Sequence, residues 1–196
     1  MNIIFQIFTR ISNLMLHSAK EWDAIATENR SRKAVYVQFV APLLCLMTIA
    51  SIIGTWFNAS RELYSSTFEL CRIAICQIAI LWTSISVGLY FSSFLITEIL
   101  AQQIGSKDHN KSFAMMAYAS SAAYLTIIIV LLFPFFYELL ILAFYSCYLY
   151  WRGIPRLIQI NGQKRMIYGI FSFIIVLLIF SLMFFLFNKI WRAILV

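Results

Sequence analysis

Residues 166–187 read MIYGIFSFIIVLLIFSLMFFLF, 22 positions without a charged side chain. About 20 apolar residues suffice to cross the hydrocarbon core of a bilayer as a helix. The pattern keeps no polar face at either helical or strand period, so it reads as a helix solvated by lipid. Four other runs share this character: Val35–Phe57, Ile73–Ile96, Phe113–Phe133 and Phe135–Trp151. The third and fourth adjoin, and their 39 residues would make a helix of roughly 58 Å, nearly twice the membrane thickness. Pro134 is the place for the turn, because it removes a helix hydrogen bond and clashes with the preceding turn. The sequence therefore predicts an all-α polytopic membrane protein with five transmembrane helices.

Composition agrees. Hydrophobic residues make up 62% of the chain and charged residues 12%, against about half and a quarter in soluble domains. The net charge of +7 does not signal nucleic-acid binding, since no basic stretch is interleaved with base-stacking aromatics. It fits loops that face anionic lipid. With the N-terminus inside, 11 Lys and Arg fall on inner segments and 4 on outer ones, which predicts a cytoplasmic N-terminus and a C-terminus on the opposite side.

Two regions are expected. Residues 1–34 form a cytoplasmic segment and residues 35–196 the membrane domain. Within the first, polar Asn2, Gln6, Arg10, Asn13, His17 and Lys20 recur every three or four positions, opposite Ile4, Ile7, Phe8, Ile11 and Met15. That spacing predicts an amphipathic helix lying at the membrane interface. The mixed charges of Ala19–Lys33 predict a water-exposed stretch.

Chemistry-bearing patterns are sparse. No mid-membrane charge, metal-ligand spacing, nucleophile motif or phosphate loop is present, so the sequence implies no catalytic residue, no metal and no cofactor. Cys45, Cys71, Cys76 and Cys147 match no disulfide or zinc framework. Small and hydroxylated residues crowd the second and third runs. Gly88/Ser92, Ala117/Ser121 and Ala119/Ala123 have the spacing that lets helices approach closely. Gln77, Ser84, Ser86, Gly88, Ser92, Ala117, Ser120 and Ser121 are therefore candidates for a packing face or a polar path. Arg72 and Glu138 are candidates for an ion pair at the outer interface. Arg30, Arg32, Lys33, Arg152, Arg156, Lys164 and Arg165 form a candidate basic surface for anionic lipid, with room for a protein partner or a second copy of the chain.

Two stretches carry a family resemblance. Glu21-Trp22-Asp23-Ala24-Ile25-Ala26-Thr27-Glu28 precedes a first span opening at Ala41-Pro42-Leu43-Leu44, and Tyr145-Ser146-Cys147-Tyr148-Leu149-Tyr150-Trp151-Arg152-Gly153-Ile154-Pro155 closes the fourth. Together they resemble the bacterial branch of the Yip family, the Ypt/Rab-interacting proteins. Its members have a Trp-x-x-Ile-x-x-Glu element before the first span and a Gly-x-Pro turn after the fourth. One departure is that Tyr118–Tyr124 lacks the glycine or proline common in the family's third span. The resemblance implies a five-helix domain with a cytosolic N-terminus, here in a bacterial inner membrane. It carries over no catalytic residue, and the link of eukaryotic members to Rab GTPases and vesicle traffic does not transfer. A non-enzymatic membrane-organising or adaptor protein is the expected function. The alternative is a small transporter, channel or lipid-handling protein with a polar path along the second and third helices.

Overall fold

The computed structural model describes residues 3–59, 67–104, 108–157 and 163–195. Arg61 and Lys107, two of the charges used to orient the chain, and the side chains of Lys164 and Arg165 lie outside the described residues. Among those described, all regular structure is helical. An N-terminal hairpin, α1 (Ile3–Leu16) and α2 (Ser18–Glu28), leads into α3 (Arg32–Val35), a π turn (Tyr36–Val40) and α4 (Ala41–Ala59). Then come α5 (Thr67–Ile104), α6 (His109–Ala119), α7 (Ser121–Leu132), a 3-10 segment (Pro134–Phe144), α8 (Tyr145–Leu157) and α9 (Gln163–Leu195).

Three helical stretches are long and apolar enough to cross a membrane: Arg32–Phe57, Phe68–Glu98 and Phe173–Ala193. A fourth crossing results if α6 and α7, bent by 41° at their junction, are one broken span. The chain is thus an all-helical membrane protein with three to four such spans. Their directions follow from contacts. Phe39 stacks on Tyr118 at 4.7 Å, and a Cβ on Gly54 would overlap the Leu131 carbonyl, so α4 runs parallel to α6–α7. Gly88 of α5 faces the Phe180 ring of α9, 2.9 Å from where its Cβ would stand, and the Trp191 indole donates to Thr83 at 3.4 Å. These two helices are antiparallel. The centre is α6, buried throughout Ser112–Ala119. By contrast α9 turns Leu178, Leu182 and Phe185 outward, as a lipid-facing helix must.

The structure corrects the expected third run. It is not one straight helix: the break falls at Ser120, whose hydroxyl donates to the Met116 carbonyl at 2.9 Å. Serine back-bonding of this kind bends helices, so the pair Ser120–Ser121 does what glycine or proline would do. The Ala123 N–H, in the first turn of α7, is received by the Ser146 hydroxyl of α8 at 3.1 Å. In lipid an unpaired N–H costs several kcal/mol, and a neighbouring hydroxyl is the available remedy.

The expected turn at Pro134 is present. α7 stops at Leu132, Phe133 is extended (φ −131°, ψ 80°), and Pro134 opens the next segment. That segment is not the expected regular helix over 135–151. Pro134–Phe144 is tighter 3-10 structure with a kink at Phe136, and α8 continues past Trp151 to Leu157, with Pro155 inside it rather than in a turn beyond. Pro155 lacks the N–H that would bond the carbonyl four residues back, so α8 gives up one helix bond two residues before its C-terminal end.

Ser146→Ala should lower the thermal stability of the detergent-solubilised protein by about 1–3 kcal/mol, while Ser146→Thr, which keeps the acceptor, should recover most of it. Gly54→Leu should destabilise more than Gly88→Ala in the same assay. Backbone opposes the first, whereas a movable ring edge opposes the second.

Candidate functional site

The N-terminal hairpin is not a solvated appendage. Trp22 is fully buried, and Ser18 and Ile25 are buried with it, which corrects the expectation that Ala19–Lys33 faces water. The charges there line one side of α2, while Ser18, Trp22 and Ile25, at spacings of four and three, form the other. On α1 the buried stripe is Ile7, Ile11 and Leu14; Phe5, Phe8 and Leu16 remain exposed. The expected apolar face thus divides, one flank covered by the protein and the other open.

Glycine decides where the hairpin docks. Trp22 lies flat against Gly153 of α8, its ring 3.1 Å from where a Cβ would stand. A Cβ there would require the indole to shift by a few tenths of an ångström, and a larger side chain by more. Asp23 accepts from Arg156 at 2.8 Å, and Tyr145 donates to the Met15 carbonyl at 2.9 Å.

Arg10 locks the other side. Its guanidinium donates to Glu21 at 3.0 Å, bidentately to Glu28 with one arm at 2.8 Å, and to the Tyr118 hydroxyl at 3.1 Å. It also lies over the Tyr118 ring, 5.2 Å from the centroid. Glu28 in turn accepts from Arg30 at 2.8 Å, and Arg30 donates to Gln38 at 3.0 Å. The Arg10 side chain is only 16% exposed. Burial alone would weaken its hold on the proton, but the Glu28 hydrogen bond and the fields of Tyr118 and Glu28 outweigh that and raise its pKa further. The hydrogen bond from Arg10 likewise holds Glu28 below its ordinary 4.5, against the opposing effect of burial. Asn29, in the left-handed region at φ 46°, ends α2, and the Ser31 hydroxyl caps α3 by accepting from Ala34 at 3.3 Å. Together they return the chain to the bundle within a few residues.

The two stretches that carry the family resemblance therefore meet at one junction, Trp22 on Gly153, and Asp23 pairs with Arg156 just past the second stretch, 133 positions along the chain. The Yip1 domain profile matches residues 12–183. This chain belongs to the Yip1 domain family. Neither a comparison with curated proteins nor one with solved structures yields a match. In this Yip1 domain the Trp-x-x-Ile-x-x-Glu element is a docking device. Trp22 and Ile25 fill the bundle end, and Glu28 bridges Arg10 and Arg30.

The residues singled out from sequence go to separate parts of the fold. Arg30, Arg32, Lys33, Arg152 and Arg156 gather at the hairpin end. Arg30 and Arg156 are engaged by Glu28 and Asp23, Arg152 lies over the Tyr148 ring at 5.7 Å, and Arg32 and Lys33 are exposed. The small and hydroxylated residues go to several interfaces. Ser86 pairs with the Tyr36 hydroxyl at 2.7 Å and Gln77 accepts from Ser51 and Thr55 at 3.1 Å each. Gly88 meets α9, and Ser84, Ser92, Ala117 and Ser121 are buried. Arg72 and Glu138 form no ion pair among the described residues; Glu138 is exposed and Arg72 borders a cleft with α9. Sequence reasoning missed Arg10, Glu21 and Tyr118. The available signal was an arginine interrupting an apolar stretch, with two glutamates seven apart on one face of the next helix.

Glu28 has a depressed pKa in the folded state, so its contribution is full above 4.5 and is lost as pH falls through the lower folded value. Hydrogen exchange of α1 should show protection at neutral pH that disappears at acid pH. In Glu28→Gln the protection should be weaker at neutral pH and lose most of its acid dependence. Trp22→Ala should release the hairpin at every pH, costing about 3–5 kcal/mol. Trp22→Phe should cost far less, because the indole N–H has no partner to lose among the described residues.

Proposed function

We propose that this Yip1-domain protein is a non-enzymatic membrane organiser or adaptor, working through the basic end of the bundle on which its N-terminal hairpin is clamped. In this reading the membrane domain has five spans, with Pro134–Leu157 as the fourth. The N-terminus is cytoplasmic, the C-terminus periplasmic, and the membrane a bacterial inner membrane.

The observation that carries the reading is the clamp. A hairpin held by Trp22 and Arg10 leaves one flank of α1 open, and Arg32 and Lys33, just after the hairpin, are exposed as well. Phe5 is 61% exposed and Leu16 74%, and apolar side chains next to basic ones suit the boundary between headgroups and acyl chains. Each basic side chain near an anionic surface adds on the order of 1 kcal/mol. α4, α6–α7 and α9 run one way and α5 the other, which supports the five-span reading, as does the 11-to-4 split of basic residues. Closing that alternation requires the segment after Pro134 to return across the membrane.

Deletion of residues 1–18 tests this function. The spans should still insert, while the set of partners crosslinked in intact membranes changes, as does the shape of anionic vesicles carrying the purified protein. Arg32→Gln with Lys33→Gln should weaken both effects without disturbing the fold. An unchanged partner set together with unchanged vesicle morphology would overturn the proposal.

A further inference from the structure

At the end of the bundle opposite the hairpin, α5, α7 and α9 separate to leave a cleft of about 550 Å³. This lies within the range of small-ligand sites. Ile80, Leu131 and Phe184 form its apolar walls, and Arg72, Gln77, Asn188 and Arg192 its polar lining. Among the described residues no acidic side chain lines it, and neither arginine forms an ion pair. Arg72 sits just before the second apolar run, and Arg192 sits at the end of the last candidate span, Phe173–Ala193. Arg72 thus lies one turn inside the candidate span Phe68–Glu98 and Arg192 next to the end of Phe173–Ala193, both toward the same end of the bundle, where a span would meet the headgroups.

Two like charges sharing one cleft repel, and a bound anion between them removes the repulsion. Guanidinium pairs match phosphate oxygens in planar, bidentate geometry. Gln77 adds to the donors. Ser51 and Thr55 occupy its carbonyl oxygen, which leaves its N–H groups for the cleft. An apolar slot under a donor-rich rim is the shape of an amphiphile with an anionic head. We propose that this cleft binds one anionic phospholipid from the leaflet opposite the hairpin, its phosphate held by Arg72 and Arg192 and an acyl chain along Ile80, Leu131 and Phe184. The inference is independent of the adaptor reading, which concerns the other end of the molecule.

Cys76 also lines the cleft and serves as its reporter. In full-length protein with Cys45, Cys71 and Cys147 replaced by alanine, phosphatidylglycerol should slow maleimide alkylation of Cys76, whereas phosphatidylcholine should not. Native mass spectrometry should show a retained phosphatidylglycerol adduct on the wild type. Arg72→Gln with Arg192→Gln should weaken it, by about tenfold per arginine, while Arg32→Gln with Lys33→Gln leaves it unchanged. Alkylation protection does not depend on the arginine variants, so it decides the matter even if those fold poorly. Equal protection by the two lipids would overturn the proposal. So would protection by inorganic phosphate alone, or protection that tracks protein concentration without lipid, which would indicate a second copy in the cleft.

Discussion

Lipid offers no hydrogen bonds, and that constraint governs how this chain can bend. A soluble helix can break wherever water will receive the freed groups; a helix in hydrocarbon can break only where a neighbour receives them. The α6–α7 break meets the requirement with two serines. Ser120 turns its hydroxyl back onto Met116, and Ser146, reaching over from α8, takes the Ala123 N–H. Bend and repair are coupled, so α8 must lie against the start of α7. That position, in turn, brings Gly153 under Trp22.

Within the bilayer the hydrophobic effect gives little preference for protein over lipid contacts, and close backbone approach takes its place. Gly54 against Leu131 and the buried stretch Ser112–Ala119 of α6 belong to that regime. At the hairpin end water is present again, and burial of Trp22, Ile25, Ile11 and Leu14 regains its ordinary value of about 1.5–3 kcal/mol per side chain. The hairpin accordingly has a different construction from the rest: an aromatic anchor, a buried aliphatic stripe, and a half-buried arginine with two carboxylates. Arg10 is tolerable there because Glu21, Glu28 and Tyr118 occupy its donors; with fewer partners, the cost of removing it from water would outweigh the gain.

These two regimes explain what could be read in advance. The long apolar runs, the turn at Pro134 and membrane residence itself were legible, because each depends on length and on one residue's covalent geometry. The break at Ser120 was not. Serine is compatible with a straight helix, and only the partner at Ser146 makes the bent form tolerable. The burial of α2 was also hidden. An amphipathic pattern states that one face avoids water, yet is silent on what covers it, and on α1 the face divides: Ile7 and Ile11 turn into the bundle while Phe8 stays exposed. The charges in Ala19–Lys33 suggested solvent because composition averages over a face that Trp22 and Ile25 do not share. Residues of the Trp-x-x-Ile-x-x-Glu element were visible from resemblance, but their partners, Gly153 and Arg10, emerge only from the fold.

The disposition of arginines carries this furthest. Chemically identical side chains stand in three situations, and the surroundings set what each can do. Arg10 and Arg156 are paired within the chain, so their role is to hold elements together, and a ligand would have to displace a carboxylate to reach them. Arg32 is exposed and without an ion pair among the described residues, so its charge adds to a diffuse field that salt screens. Arg72 and Arg192 border one cleft with apolar walls and, among the described residues, no acid. There the field is concentrated rather than diffuse, and water is partly excluded, so an anion would gain more from each contact than at the open surface. A single count of basic residues merges these three cases. Their separation rests on the position of acidic side chains, which accompany the arginines that hold the hairpin and, among the described residues, do not line the far cleft.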